Sequence, residues 1–178
     1  MAGTVTLYLV RHDRVHAPGI CYGQTDLASE VPYAETANRL RAQLPAQPDV
    51  IVTSPLQRCA KLAQAIYPAN PVQADDRWQE VNFGTWEGQR WDDLPRDAID
   101  AWAQTPTDFE FPEGESLHAF RERVTSALNE LPQDQTVVVI THAGVIRLCR
   151  ALLLGQSWQQ ELSTPVHYAS ISRLTLKT

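Results

Sequence analysis

The chain is poor in the residues that staple or anchor proteins. Its 178 residues include only three cysteines, Cys21, Cys59 and Cys149. That odd, scattered set does not make a disulfide framework. No pair of them has the spacing of a zinc site, so no metal or other cofactor is expected. No apolar run is long enough to cross a bilayer. The start, Met1-Ala2-Gly3-Thr4, shows no basic segment followed by an apolar one, so neither a membrane span nor a signal peptide is expected. A reduced cytoplasmic setting is then the default expectation. Positive charge is also short, with 15 Lys and Arg against 21 Asp and Glu and a formal net charge of -6. Nucleic acids are held by basic surfaces, so this balance disfavours them as partners. A small phosphorylated metabolite remains compatible, because it needs only a local cluster of cations. Internal repeats and low-complexity tracts are missing too.

What is present is the alternation of an α/β domain. Thr6 to Val10 reads as a buried strand that runs straight into Arg11-His12-Asp13. A loop punctuated by Pro18, Gly19 and Gly23 follows, then a helix from Tyr33 to Leu44 that Pro45 stops. Val50-Ile51-Val52 is a second strand. Ser54 and Pro55 read as the N-cap and first residue of a helix running to Tyr67, with Arg58 near its start. Val72-Gln73-Ala74 fits a short edge strand. From about 77 to 115 the pattern breaks into an excursion holding four of the five tryptophans and one helix, Leu94 to Ala103, expected to cover the site as a small lid. Ser116 then caps a helix to Leu131. Val137-Val138-Val139-Ile140 is a central strand leading into Thr141-His142-Ala143-Gly144 and another helix, and Ala169 to Leu176 closes the chain as a strand. The expected architecture is one domain over residues 1–178. It is a three-layer sandwich with a mostly parallel central sheet and helices on both faces.

Three strand ends carry polar groups: Arg11-His12, Ser54 with Arg58, and His142. In open α/β sheets ligands bind at the carboxyl ends of the strands. Two arginines and two histidines at one edge suit a dianion, since the guanidinium fork donates two parallel hydrogen bonds to phosphate. The helix opened by Ala143 would point its free N–H groups at the same place. An imidazole facing a phosphomonoester can attack phosphorus and form a phosphohistidine, which splits one displacement into two. His12 is the candidate nucleophile and Glu80, among apolar neighbours, the candidate general acid.

The segments Leu9-Val10-Arg11-His12, Thr53 to Cys59, Glu80 to Gly88 and Thr141 to Arg147 together resemble the histidine phosphatase, or phosphoglycerate mutase-like, superfamily. The resemblance implies a metal-independent phosphomonoester hydrolase. It implies His12 as the phosphorylated residue, Glu80 as proton donor, and Arg11, Arg58 and His142 around the phosphate. The Gly19 to Leu27 segment and the Phe111 to Ser116 segment look most like bacterial α-ribazole phosphatases of cobalamin assembly. On that resemblance Tyr22, Gly23 and Gln24 join Ala143 as substrate contacts. Broad-specificity phosphatases, phosphoglycerate mutase-type enzymes and a catalytically weak phospho-ligand or partner-binding protein are the alternatives. Monomer and homodimer are both open.

One position departs from the family pattern: Asp13 stands where glycine is usual. A carboxylate about 4 Å from a phosphate costs ~4 kcal/mol per unit charge at an effective dielectric near 20. Its side chain is therefore expected to turn away. The tryptophans are expected chiefly as core residues; the alternative makes Trp86 or Trp102, with Tyr22, a platform that stacks on an aromatic base of the substrate.

Overall fold

In a computed structural model that describes residues 3–177, a five-stranded sheet has the spatial order β3-β2-β4-β1-β5. Met1 and Ala2, where the signal-peptide reading begins, lie outside the described residues. The strands are β1 (Thr4–Arg11), β2 (Val50–Thr53), β3 (Gln73–Ala74), β4 (Thr136–Thr141) and β5 (Ile171–Lys177). All pairings are parallel except that of β5, which returns antiparallel along β1. The helices are α1 (Tyr33–Leu40), α2 (Gln57–Ile66), α3 (Arg96–Gln104), α4 (Leu117–Asn129), α5 (Ala143–Leu154) and α6 (Trp158–Leu162).

The pleat explains the layers. Successive β4 side chains point to opposite faces. Val137 and Val139 pack with Phe120 and Val124 of α4 and Val145 and Ile146 of α5. Val138 and Ile140 pack with Leu40 of α1 and with Leu62 and Ile66 of α2. All four β4 residues are 0% exposed, which is why the strand reads as unbroken apolar sequence. Each such side chain contributes about 1.5–3 kcal/mol on burial. The result is a three-layer α/β sandwich.

Register decides where the chain's polar groups meet. Arg11 pairs with Thr141 and Thr53 with Ile140. The next residues, His12, Ser54 and His142, therefore leave three parallel strands at one level. The His12 N–H still reaches the Thr141 carbonyl and the Ser54 N–H the Ile140 carbonyl.

Several boundaries differ from the sequence reading. Helix α2 starts at Gln57, not at Pro55, because Leu56 is still extended, with ψ 137°. The Ser54 hydroxyl serves the turn before the helix. It accepts the Leu56 N–H in a tight turn and faces His142. Helix α3 begins after Pro95, whose ring holds Leu94 extended at ψ 144° and so keeps it out of the helix. Helix α6, which sequence periodicity does not flag, is held by a capping box between Ser157 and Gln160. Ser116 does cap α4, accepting the Ala119 N–H.

The excursion has a small core of its own. Cys21, Trp86, Leu94 and Phe111 are buried there, with Phe83, Trp91, Trp102 and Phe109 packed around them. Its two ends are clamped where Gly84, at φ +58°, lies against Pro112 and Gly114. A Cβ at 84 would strike that backbone, so the crossing requires glycine.

Candidate active site

His12 follows β1 directly and is 3% exposed. Its Nδ1 lies 2.6 Å from the Asp13 main-chain oxygen. A carbonyl oxygen only accepts, so Nδ1 carries the proton and Nε2 keeps its lone pair. Burial, and then the Arg58 and Arg11 charges, push the His12 pKa down from 6.5 to about 3. The ring is thus neutral at ordinary pH, as a nucleophile must be.

The His142 ring stands 5.2 Å from that of His12. Its Nε2 is 2.8 Å from Ser54 Oγ, and Cys59 Sγ lies 3.6 Å from the same nitrogen. Burial, with His12 and the two arginines close by, holds it well below the usual histidine range. It comes from the last residue before α5. The N–H of Ala143, in the first turn of that helix, donates to no group among the described residues.

The arginines are held by carbonyl oxygens. Arg58 is 1% exposed; its two terminal nitrogens donate to Gly23 at 2.6 Å and Thr25 at 2.7 Å. Arg11 donates to the Val166 carbonyl at 2.6 Å and lies 4.0 Å over the Tyr168 ring. The Nε atoms of both are buried without a hydrogen-bond partner, and neither arginine is paired with a carboxylate among the described residues. Carbonyl dipoles orient a guanidinium without cancelling its charge. Two such cations beside two neutral imidazoles make a desolvated positive site, which favours an anion.

Glu80 reaches this edge from the excursion. Its carboxylate accepts the Gly144 N–H at 2.9 Å and the Val81 N–H at 3.1 Å. A Cβ at 144 would collide with that carboxylate, so Gly144 makes room for it. The Glu80 carbonyl is gripped by Arg123 of α4 at 3.0 Å and by Gln24 Nε2 at 3.2 Å. Arg123 is itself locked to Glu115.

The loop residues act at one remove. Gly23 and Gln24 give their N–H groups to the Glu87 carboxylate, which also takes the Thr25 hydroxyl. Gly23 then orients Arg58, and Gln24 orients Glu80. Tyr22 lies 5.3 Å from the Arg58 guanidinium, and burial, with Tyr168 beside it, raises its pKa. Asp13 turns to α1: its carboxylate accepts from the Thr36 hydroxyl at 2.7 Å, from Arg39, and from the Arg14 N–H at 2.8 Å. Burial works to raise its pKa, but these hydrogen bonds and the Arg39 charge outweigh it and hold the carboxyl below its usual range.

A chiefly apolar cavity of about 280 Å³ opens beside Glu80 and Gly144, walled by Trp91, Trp102 and Trp158. Trp86 does not reach it. It is 3% exposed and packed edge-on against Trp91, Trp102 and Phe111, so the reading of Trp86 as a stacking platform is corrected. The sequence reading also missed Tyr168, Arg123 and Glu87. Tyr168 is a lone aromatic in a loop without periodicity, and the other two are ordinary charges until their partners are seen.

A family model, histidine phosphatase superfamily (branch 1), matches residues 7–178. The chain belongs to that superfamily. It is a phosphatase by family and by the names of its relatives. It is 34% identical over 116 residues to phosphoserine phosphatase 1 of Hydrogenobacter thermophilus, covering 60% of this chain and 54% of that one. It is 28% identical over 160 residues to the adenosylcobalamin/α-ribazole phosphatase of Escherichia coli, covering 84% and 79%. The crystal structure of the α-ribazole phosphatase from Shigella flexneri superposes with a TM-score of 0.83 at 26% identity, covering 94% and 89%. Among the described residues no helix is long and apolar enough to cross a membrane.

Proposed function

We propose that this histidine phosphatase hydrolyses phosphomonoesters through a covalent phosphohistidine on His12. The His12 Nε2 lone pair attacks phosphorus while the bond to the alcohol oxygen breaks, and Glu80 gives that oxygen its proton. Arg11, Arg58, His142 and the Ala143 N–H hold the equatorial oxygens as their charge shifts. In the second half, the Glu80 carboxylate takes a proton from water and the water oxygen attacks phosphorus. The P–Nε2 bond breaks, inorganic phosphate leaves, and His12 and Glu80 return to their starting states. The observation that carries this reading is the His12 tautomer: the Asp13 carbonyl accepts the Nδ1–H, so the lone pair sits on Nε2 beside two guanidiniums that have no carboxylate partner among the described residues.

The preferred substrate in this reading is α-ribazole 5′-phosphate. The apolar cavity next to Glu80 supports a leaving group with an aromatic body, and α-ribazole phosphatases are among the relatives. Brief mixing with a ³²P-labelled ester is expected to trap label on histidine in the wild type. In His12→Ala it should leave none, with turnover down on the order of 10⁴-fold or more. Label retained by His12→Ala would refute the nucleophile. The substrate is tested by comparing kcat/KM for α-ribazole 5′-phosphate and O-phosphoserine; a clear preference for the latter would overturn the narrower reading.

A further inference from the structure

Arg147 has no role in the chemistry described above, yet it lines the cavity beside Glu80. It lies one helical turn past the Ala143–Gly144 start of α5, on the same face. It makes no hydrogen bond or ion pair among the described residues, and its Nε is buried without a partner. The charges around it are mixed, with Glu80 and Glu161 against Arg11 and Arg150. Glu161, fully buried, is engaged by Arg150 at 3.1 Å. Arg147 is therefore a cation with no hydrogen-bond, ion-pair or ring partner among the described residues, on the wall of an aromatic-lined space.

Resting on the phosphohistidine reading, we propose that this cavity is the leaving-group subsite, that it takes a flat aromatic ring, and that Arg147 stacks on that ring as a specificity-determining residue. The leaving oxygen must lie at Glu80 to receive its proton. Whatever that oxygen carries then extends between Phe83, Trp91, Trp102 and Trp158. The lining is chiefly apolar, which suits an uncharged body. At about 280 Å³ the space is near the lower end of small-molecule sites, ~300 to 1,000 Å³. Edge contacts from tryptophan and a guanidinium laid on the π face are the two ways such walls recognise a ring. Arginine does this better than lysine, because its charge is planar and weakly hydrated. A leaving group with a carboxylate would instead bring a charge into a chiefly apolar space.

Benzyl phosphate and cyclohexylmethyl phosphate test this, since they share an attachment and a similar size and differ in the π face. The wild-type enzyme is expected to favour the benzyl ester about tenfold in kcat/KM, expressed in KM. Arg147→Lys keeps the charge and loses the plane; Arg147→Met keeps the length and loses both. Each should bring the ratio between the two esters to within about twofold. A ratio near one in the wild type, or a preference that survives in both variants, would overturn the subsite. So would a loss confined to O-phosphoserine, which would make Arg147 a carboxylate receptor. Wild-type enzyme that turns over none of these esters would instead refute the phosphohistidine reading beneath it.

Discussion

The carboxyl edge of the sheet and the aromatic excursion meet at Glu80 but are built on opposite plans. At the sheet edge three of the chemical groups are fixed by main chain, His12 by the Asp13 carbonyl, Arg58 by Gly23 and Thr25 and Arg11 by Val166, while His142 faces the Ser54 hydroxyl. In the proposed reaction these groups hold the phosphoryl group. The excursion is fixed by side chains, with rings packed edge to face around Trp86 and Phe111. In the same proposal its inner wall faces the alcohol. The contrast teaches that chemistry and selectivity are separable in this molecule. The first depends on strand register and the second on which rings line one cavity.

Changing Glu80 should break the division most, because that residue belongs to both regions. Glu80→Gln is expected to lower kcat on alkyl phosphates about 10³-fold but far less on p-nitrophenyl phosphate, whose leaving group needs no proton. Equal losses on both would show that Glu80 acts in structure rather than in proton transfer.

Arg58 tests the sheet edge alone. Arg58→Met should cost about 10²- to 10³-fold in kcat/KM on every ester, whatever the alcohol. The same change removes a buried charge that has no carboxylate partner, so Tm without phosphate should stay level or rise. A fall in Tm of several degrees would mean that its bonds to Gly23 and Thr25 outweigh the cost of burying it.

On the other side, Trp102→Leu should raise KM for aromatic esters about 2- to 10-fold and leave p-nitrophenyl phosphate kcat nearly unchanged. Losses of one size across all esters would sink the claim that the excursion acts on the alcohol alone.

The smallest expected effect is one of acidity. The pKa values of His12 and His142 are lowered on folding, so the unfolded chain binds more protons below pH 6.5. The stability linked to their neutrality is complete above pH 6.5 and is lost as the pH falls from there, for His12 toward about 3. His12 contributes a slope of about 1.4 kcal/mol per pH unit in that window, and His142 acts in the same direction. Chemical denaturation between pH 7 and pH 5 should show it, and His12→Gln should flatten it; an unchanged slope in that variant would place the effect elsewhere.

The sequence by itself determined the elements and the short-range chemistry. Four β-branched residues at 137–140 specify a strand buried on both faces, Ser116 specifies a helix start, and Arg11-His12 and His142 must end whatever strands precede them. These are local constraints, written within a few residues of where they act. Only the tertiary structure decided which groups are paired. Asp13 finds Thr36 and Arg39, Arg11 finds Val166 and Tyr168, and Glu80 is held by Arg123, while Arg147, Arg58 and Arg11 find no carboxylate among the described residues. It also turned Trp86 inward and left Trp102 on the cavity wall. Pairing and exposure depend on segments tens to more than a hundred residues apart, and no local pattern encodes the distance between them.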